Sequence, residues 1–147
     1  MQNIINNQYI IAIFIARIFL GFLFFFQGYD AIVRVGVKNL IETLHLPLSE
    51  KGIPKAFTIA GVWLISFVQL IGGLFLIFGF VKYYVLYLLG LNLIIASIVY
   101  GSIKPMWDMQ FVFPRLVILI FLLIVPSQWD VLSIDYFWSF FKFLKTV

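Results

Sequence analysis

Four long apolar stretches, separated by short polar segments, set the pattern of this chain: residues 9–32, 56–81, 83–100 and 106–125. The second, AFTIAGVWLISFVQLIGGLFLIFGFV, runs twenty-six residues without one charge. At about 1.5 Å per residue, a helix of that length covers the ~30 Å hydrocarbon core of a bilayer with room for tilt. In the first stretch Arg17, Gly21, Phe24 and Gly28 share one helix face, and small residues on such a face let a neighbouring backbone approach closely. Lys82 alone separates the second stretch from the third, which predicts antiparallel neighbours. The third holds one amide, Asn92, and has tyrosines at both ends, as at membrane interfaces. Counted from Pro114 to Val125 the fourth is only about 18 Å long. It is therefore started near Met106 or Trp107, with Pro114 as an internal kink and Pro126 as its end.

Two shorter patterns are amphipathic. Val37, Leu40, Ile41 and Leu44 oppose Lys38, Asn39, Glu42, Thr43 and His45, which predicts a short helix over 37–46 lying in the interface. PLSEKGIP (47–54) then breaks the pattern, and Pro54 suits the first turn of the second span. In the tail, Asp135, Ser139, Lys142 and Thr146 form a polar stripe opposite Tyr136, Phe137, Phe140, Phe141, Phe143 and Leu144. That predicts a surface-lying helix over 133–147, anchored by aromatics and lysines. The predicted fold is an all-α membrane protein. It is a four-transmembrane-helix up-and-down bundle with a short interfacial helix in loop 1 and a C-terminal amphipathic interfacial helix.

Composition supports this reading. The 147 residues are 64% hydrophobic and 11% charged, which makes lipid the solvent, and the length allows one domain over 1–147. With no cysteine, disulfides, CxxC redox chemistry and thiolate metal sites are excluded. With one histidine, no built-in haem, zinc or other metal cofactor is expected. The net charge of +4 suits an anionic membrane surface, and no basic patch interleaved with aromatics points to nucleic acid. MQNIINNQYIIAIF lacks a basic leader region and a small-residue cleavage site, so the first apolar run reads as a retained helix. Loop lysines and arginines favour one orientation and the basic tail the other, leaving the side of the termini open.

Candidate chemistry lies in the polar residues inside the spans. Counted from the ends of the apolar stretches, Arg17 and Gln69 lie about 12 Å, and Asn92 about 14 Å, from the end that holds the termini. A charge at that depth costs a few kcal/mol and needs compensation. No carboxylate falls at that level by this count. Arg17 is therefore expected to bond the side-chain oxygen of Gln69, with Asn92 in the same layer. Replacing Gln69 by Glu should strengthen the pair. The competing readings are amides that only cross-link helices and an arginine that snorkels to the headgroups. Toward the other end Gln27, Asp30, Tyr100, Asp108 and Arg115 form a second polar cluster, either an ion-paired site or a hydrated rim. Gly21, Gly28, Gly72, Gly73 and Gly79 are expected helix-packing positions.

RIFLGFLFFFQG (17–28), QLIGGLFLIFG (69–79) and the basic Lys82 after them resemble the DoxX family of small membrane proteins. Arg17, Leu20, Gly21, Phe24 and Gly28 match the family pattern in the first helix. Leu70, Gly72, Gly73, Leu74, Leu76 and Gly79 match it in the second, where the usual glutamate is Gln69. The resemblance implies a four-helix bundle in the bacterial cytoplasmic membrane. The family is named for a subunit of an archaeal thiosulfate:quinone oxidoreductase, and other members are linked to redox stress. The expectation is a membrane subunit of a redox-linked complex, not catalytic on its own. Arg17, Gln69 and Asn92 would line a pocket for a quinone or small anion, and a protein partner or second copy would complete the unit. The alternatives are a non-catalytic scaffold of a larger envelope complex and, third, a small-solute carrier.

Overall fold

Lipid-like composition leaves the backbone one economical way to satisfy its hydrogen bonds within each segment, the helix. The computed structural model describes residues 2–103, 109–126 and 129–144, and helix is the only regular structure among them. Helix α1 (Gln2–Tyr29) runs directly into a π-helical turn (Asp30–Arg34). Then follow α2 (Val37–Ser49), α3 (Lys55–Phe78), α4 (Lys82–Ile103), α5 (Met109–Ile124) and α6 (Ile134–Leu144). Three helical stretches, Asn7–Arg34, Lys55–Phe78 and Lys82–Val99, are long and apolar enough to cross a membrane. Helix α5 has 16 residues, about 24 Å, which falls short of the ~30 Å core. Pro114 lies inside it, and the expected start of the fourth span at 106–107 lies outside the described residues.

Glycine sets the closest helix contact. A Cβ on Gly21 would stand 2.7 Å from Ile77 Cγ1 and 3.0 Å from the Gly73 carbonyl. One on Gly73 would meet the Gly21 carbonyl at 2.7 Å and Phe25 Cα at 2.8 Å, and one on Gly28 would meet Leu70 Cα at 2.7 Å. Contacts on α3 move toward its start as those on α1 move toward its end, so the two helices are antiparallel in a fixed register. Gly72 instead faces α4, where Leu89 Cδ2 would be 3.1 Å from an added Cβ. The buried core joins Leu20 and Phe24 of α1, Leu76 of α3, Leu86 and Leu89 of α4, and Leu119 and Leu122 of α5. Phe22, Leu64, Tyr87 and Ile120 face outward, as expected of lipid-facing positions.

The element boundaries depart from the sequence reading at several helix ends; α4, for one, runs Lys82–Ile103 instead of 83–100. Helix α1 begins at Gln2 instead of Tyr9, because the polar INNQ segment continues the same helix. Helix α2 passes through Pro47 to Ser49. Proline that late in a helix removes one backbone bond, and the extra turn buries Leu48. Helix α3 stops at Phe78 because Gly79 takes a left-handed φ of +67°. Gly79 N–H donates to Leu76 O (3.1 Å) and Phe80 N–H to Phe75 O (2.9 Å), the paired bonds of a Schellman ending.

Candidate functional site

The α1–α3 register places Arg17 one turn before Gly21, level with the turn that follows α3. Arg17 is 1% exposed. Its Nη1 donates to Leu76 O (3.0 Å) and Ile77 O (2.7 Å), and its Nη2 to Leu132 O (2.7 Å). The first two carbonyls belong to the last turn of α3, where acceptors lack their usual i+4 donors and the dipole is negative, Leu76 O sharing Arg17 with the Gly79 N–H. Arg17 Nε lies 3.3 Å from Asp130 Oδ1, and Lys82 Nζ lies 3.2 Å from Asp130 Oδ2. One buried carboxylate thus serves two buried cations. Both approaches have ion-pair distance without hydrogen-bond alignment, so the Asp130 oxygens and Lys82 Nζ retain open hydrogen-bonding capacity.

These contacts correct the expected Arg17–Gln69 pair. The depth count began at Tyr9, but the helix extends outward from there, and Arg17 meets the end of α3, not its middle. A carboxylate does stand at that level, delivered by the segment after α5. Lys82, read as a turn residue, is the first residue of α4 and is buried. Two signals for this cluster were present in the sequence. Asp130 and Asp135 are the only carboxylates that follow Pro126, at the end where α1 begins. Ser133 directly precedes an apolar helical run with an acid in its first turn, a helix-start pattern.

Helix α6 turns Asp135, the first residue of its polar stripe, inward. Asp135 Oδ1 accepts from Val81 N–H and Oδ2 from Lys82 N–H, each at 2.9 Å, so the carboxylate sits on the positive start of α4. Asp135 N–H donates to Gly79 O at 3.2 Å. Ser133 Oγ accepts from Tyr136 N–H (3.2 Å) and donates to Asp130 O (2.7 Å), capping α6 and fixing the Asp130 loop together. Phe137, Trp138 and Phe141 point outward, at 55%, 75% and 64% exposure. Through Asp135 the expected surface helix is fastened to the α3–α4 turn as a clasp, with Phe137, Trp138 and Phe141 facing away and Tyr136 toward the cavity. Between clasp and turn lies a half-open cavity of about 410 Å³, bordered by Lys82, Tyr83, Asp130, Asp135, Tyr136 and Ser139.

Gln69 lies toward the other end. It is buried and lines a cavity of about 230 Å³ with Gln27, Asp30 and Ser66, walled by Val35, Leu40, Leu44, Val62, Ile65, Ala96 and Val99. Asn92 is buried nearby; its Nδ2 donates to Ile65 O at 3.4 Å and its Oδ1 has no partner. The structure does not bring Arg17 to either amide. Of the second cluster, Arg115 Nη1 donates to Gln27 Oε1, and Asp30 Oδ1 lies 3.0 Å from Arg34 Nη1. Asp108 and the Tyr100 side chain lie outside the described residues. Asp30 opens the π-helical turn, closed by Val35 N–H to Asp30 O at 2.8 Å. The wider turn sets both Asp30 and Val35 against the cavity, and π-turns recur at functional sites.

Of the five glycines, Gly79 differs in kind. It ends α3, and a Cβ there would stand 2.7 Å from Arg17 Nη1. No family model matches this chain, and no curated protein or solved structure matches it.

Proposed function

We propose that this chain is an integral membrane subunit that holds a single-ring, quinone-class headgroup in the cavity beside the π-helical turn. The carrying observation is the cavity itself: apolar walls around a few polar side chains, Gln27, Asp30 and Gln69 among them. That composition is what ligand pockets share. A cavity of about 150 Å³ admits benzene, so about 230 Å³ suits a substituted ring. The Gln69 amide N–H could donate to a quinone carbonyl, and the Asp30 carboxylate could accept from the hydroxyl of the reduced form. Arg17 drops out of this set. The resemblance of 17–28 and 69–79 to the DoxX pattern favours the same reading. It also favours a bacterial cytoplasmic membrane and a fourth span formed by 106–125. Electrons would come from a partner chain's cofactor.

The test is thermal unfolding of the purified protein with a short-chain quinone, in the wild type and in Ala96→Phe, which fills the cavity. Saturable stabilisation of the wild type alone supports the reading. Equal shifts in both proteins, or none in either, overturn it.

A second reading is a scaffold in a larger envelope complex. It draws on the outward row Phe137, Trp138 and Phe141, beside a charge cluster already engaged within the chain. A stoichiometric partner without redox cofactors, lost on replacing that row by serine, favours it.

A further inference from the structure

The cavity under the α6 clasp stands at the opposite end of the helices from the proposed quinone cavity. We propose that it binds a zwitterionic headgroup, a phosphate ester carrying a primary ammonium, as displayed by an aminophospholipid.

Three observations converge on this ligand class. First, Lys82 and Asp130 are each 3% exposed and border the cavity, yet Lys82 Nζ and both Asp130 oxygens have no hydrogen-bond partner among the described residues. Buried polar groups normally have aligned hydrogen bonds, and here the ion pairs at 3.2 and 3.3 Å supply charge neutralisation without that alignment, which leaves hydrogen-bonding capacity beside the cavity for a further partner. That partner must both accept from an ammonium and donate to a carboxylate. Second, the local charges balance. Arg17 and Lys82 oppose Asp130 and Asp135, so a net anion or cation finds no net attraction, whereas a neutral molecule with separated charges matches both signs. The Lys82 ammonium is placed for the phosphate, and the open lone pairs of Asp130 for the ligand's ammonium. Third, the surroundings suit a lipid. Tyr83 and Tyr136 border the opening, as tyrosines do at membrane interfaces. Phe80 and Tyr84, exposed on the same turn, offer an apolar surface for acyl chains. The volume of about 410 Å³ falls in the range of small-ligand pockets.

The carboxylates make the site selective. A primary ammonium donates hydrogen bonds to Asp130; a trimethylammonium cannot. One charge-assisted hydrogen bond corresponds to about tenfold in affinity. Ethanolamine headgroups should bind about that much more tightly than choline headgroups.

The experiment titrates short-chain phosphatidylethanolamine, phosphatidylcholine and phosphatidylglycerol into the full chain in detergent, following the unfolding midpoint and lipid adducts by native mass spectrometry. A parallel arm uses soluble glycerophosphoethanolamine. Ser139→Phe narrows the cavity without touching the ion cluster. Ethanolamine lipids should raise the midpoint saturably, choline lipids only at about tenfold higher concentration, glycerol lipids should not, and Ser139→Phe should lose the preference. A shift with the soluble compound equal to that of the lipid would assign the site to the free headgroup chemistry. A shift with the lipid alone assigns it to the membrane. Equal effects of all three lipids, an undiminished preference in Ser139→Phe, or no shift with any compound would overturn the proposal.

Discussion

Arg17 of the first helix and Asp130 of the last loop meet at 3.3 Å, both almost fully buried, with Lys82 on the carboxylate's other oxygen. The contact closes the chain on itself: it holds the N-terminal helix, the α3–α4 turn and the segment before α6 in one place. Removing one partner of a buried pair leaves an uncompensated charge, typically about 3–5 kcal/mol. Asp130→Asn strands two cations and should be the most destabilising of the three single changes. Lys82→Met leaves the Arg17–Asp130 pair intact and should be the least. Arg17→Met frees Asp130 toward Lys82 but abandons three carbonyls, and should fall between. Denaturation of the three variants in one detergent gives the order; Lys82→Met losing more than Asp130→Asn would refute it.

Asp135 holds α6 to the start of α4 through two backbone N–H groups. Asp135→Ala should cost about 1–2 kcal/mol, the scale of a lost helix cap with its charge. It should also expose residues after Pro126 to protease while α1–α4 stay folded. Asp135→Asn keeps one acceptor oxygen and should lose less. The geometry of this turn adds weight, because Val81 holds a positive φ of 50° and donates its N–H to this carboxylate. A β-branched residue rarely takes that conformation unless its surroundings impose it. Limited proteolysis with the stability measurement checks both statements.

Gly73 and Gly61 on α3 should respond to the same substitution with opposite sign. At Gly73 an added methyl meets the backbone of α1, which cannot step aside. Gly73→Ala should therefore destabilise by about 1–3 kcal/mol through overpacking. At Gly72 the obstacle is the flexible end of Leu89, and at Gly61 nothing lies within 4 Å. Gly61→Ala should gain about 0.5–1 kcal/mol from helix propensity, with Gly72→Ala between the two. A Gly73→Ala protein as stable as Gly61→Ala would place the α1–α3 contact elsewhere.

The helices were legible because apolar runs and periodicity are local properties of the chain. The tight face of α1 was legible for the same reason: Gly21 and Gly28 recur at helical spacing, and both pack on α3. The partner of Arg17 was not. Its depth was counted from where the apolar letters begin, at Tyr9, but an amphipathic start can belong to the same helix, and α1 reaches back to Gln2. Asp130 lies in an irregular segment whose return across the bundle has no periodic signature. The direction in which α6 faces was hidden too. A polar stripe opposite aromatics is the same pattern whether the stripe meets water or a buried helix start.

The register of Arg17 carries one last prediction, about Gln69. If Gln69 neighboured Arg17, Gln69→Glu would supply a counter-charge and stabilise the protein. The structure places Gln69 with Asp30 around one cavity instead, three helical turns from Arg17 along the shared register, about 16 Å. A glutamate there buries a second negative charge on the cavity that Asp30 already lines, so Gln69→Glu should destabilise by about 1–3 kcal/mol. Gln69→Leu gives up no hydrogen bond seen among the described residues and nearly conserves volume; it should stay within about 1 kcal/mol of wild type. The double-mutant cycle of Arg17→Met with Gln69→Leu should then be additive within about 0.5 kcal/mol, as for sites without shared partners. A stabilised Gln69→Glu protein, or strong coupling in the cycle, would return Arg17 to the middle of the bundle.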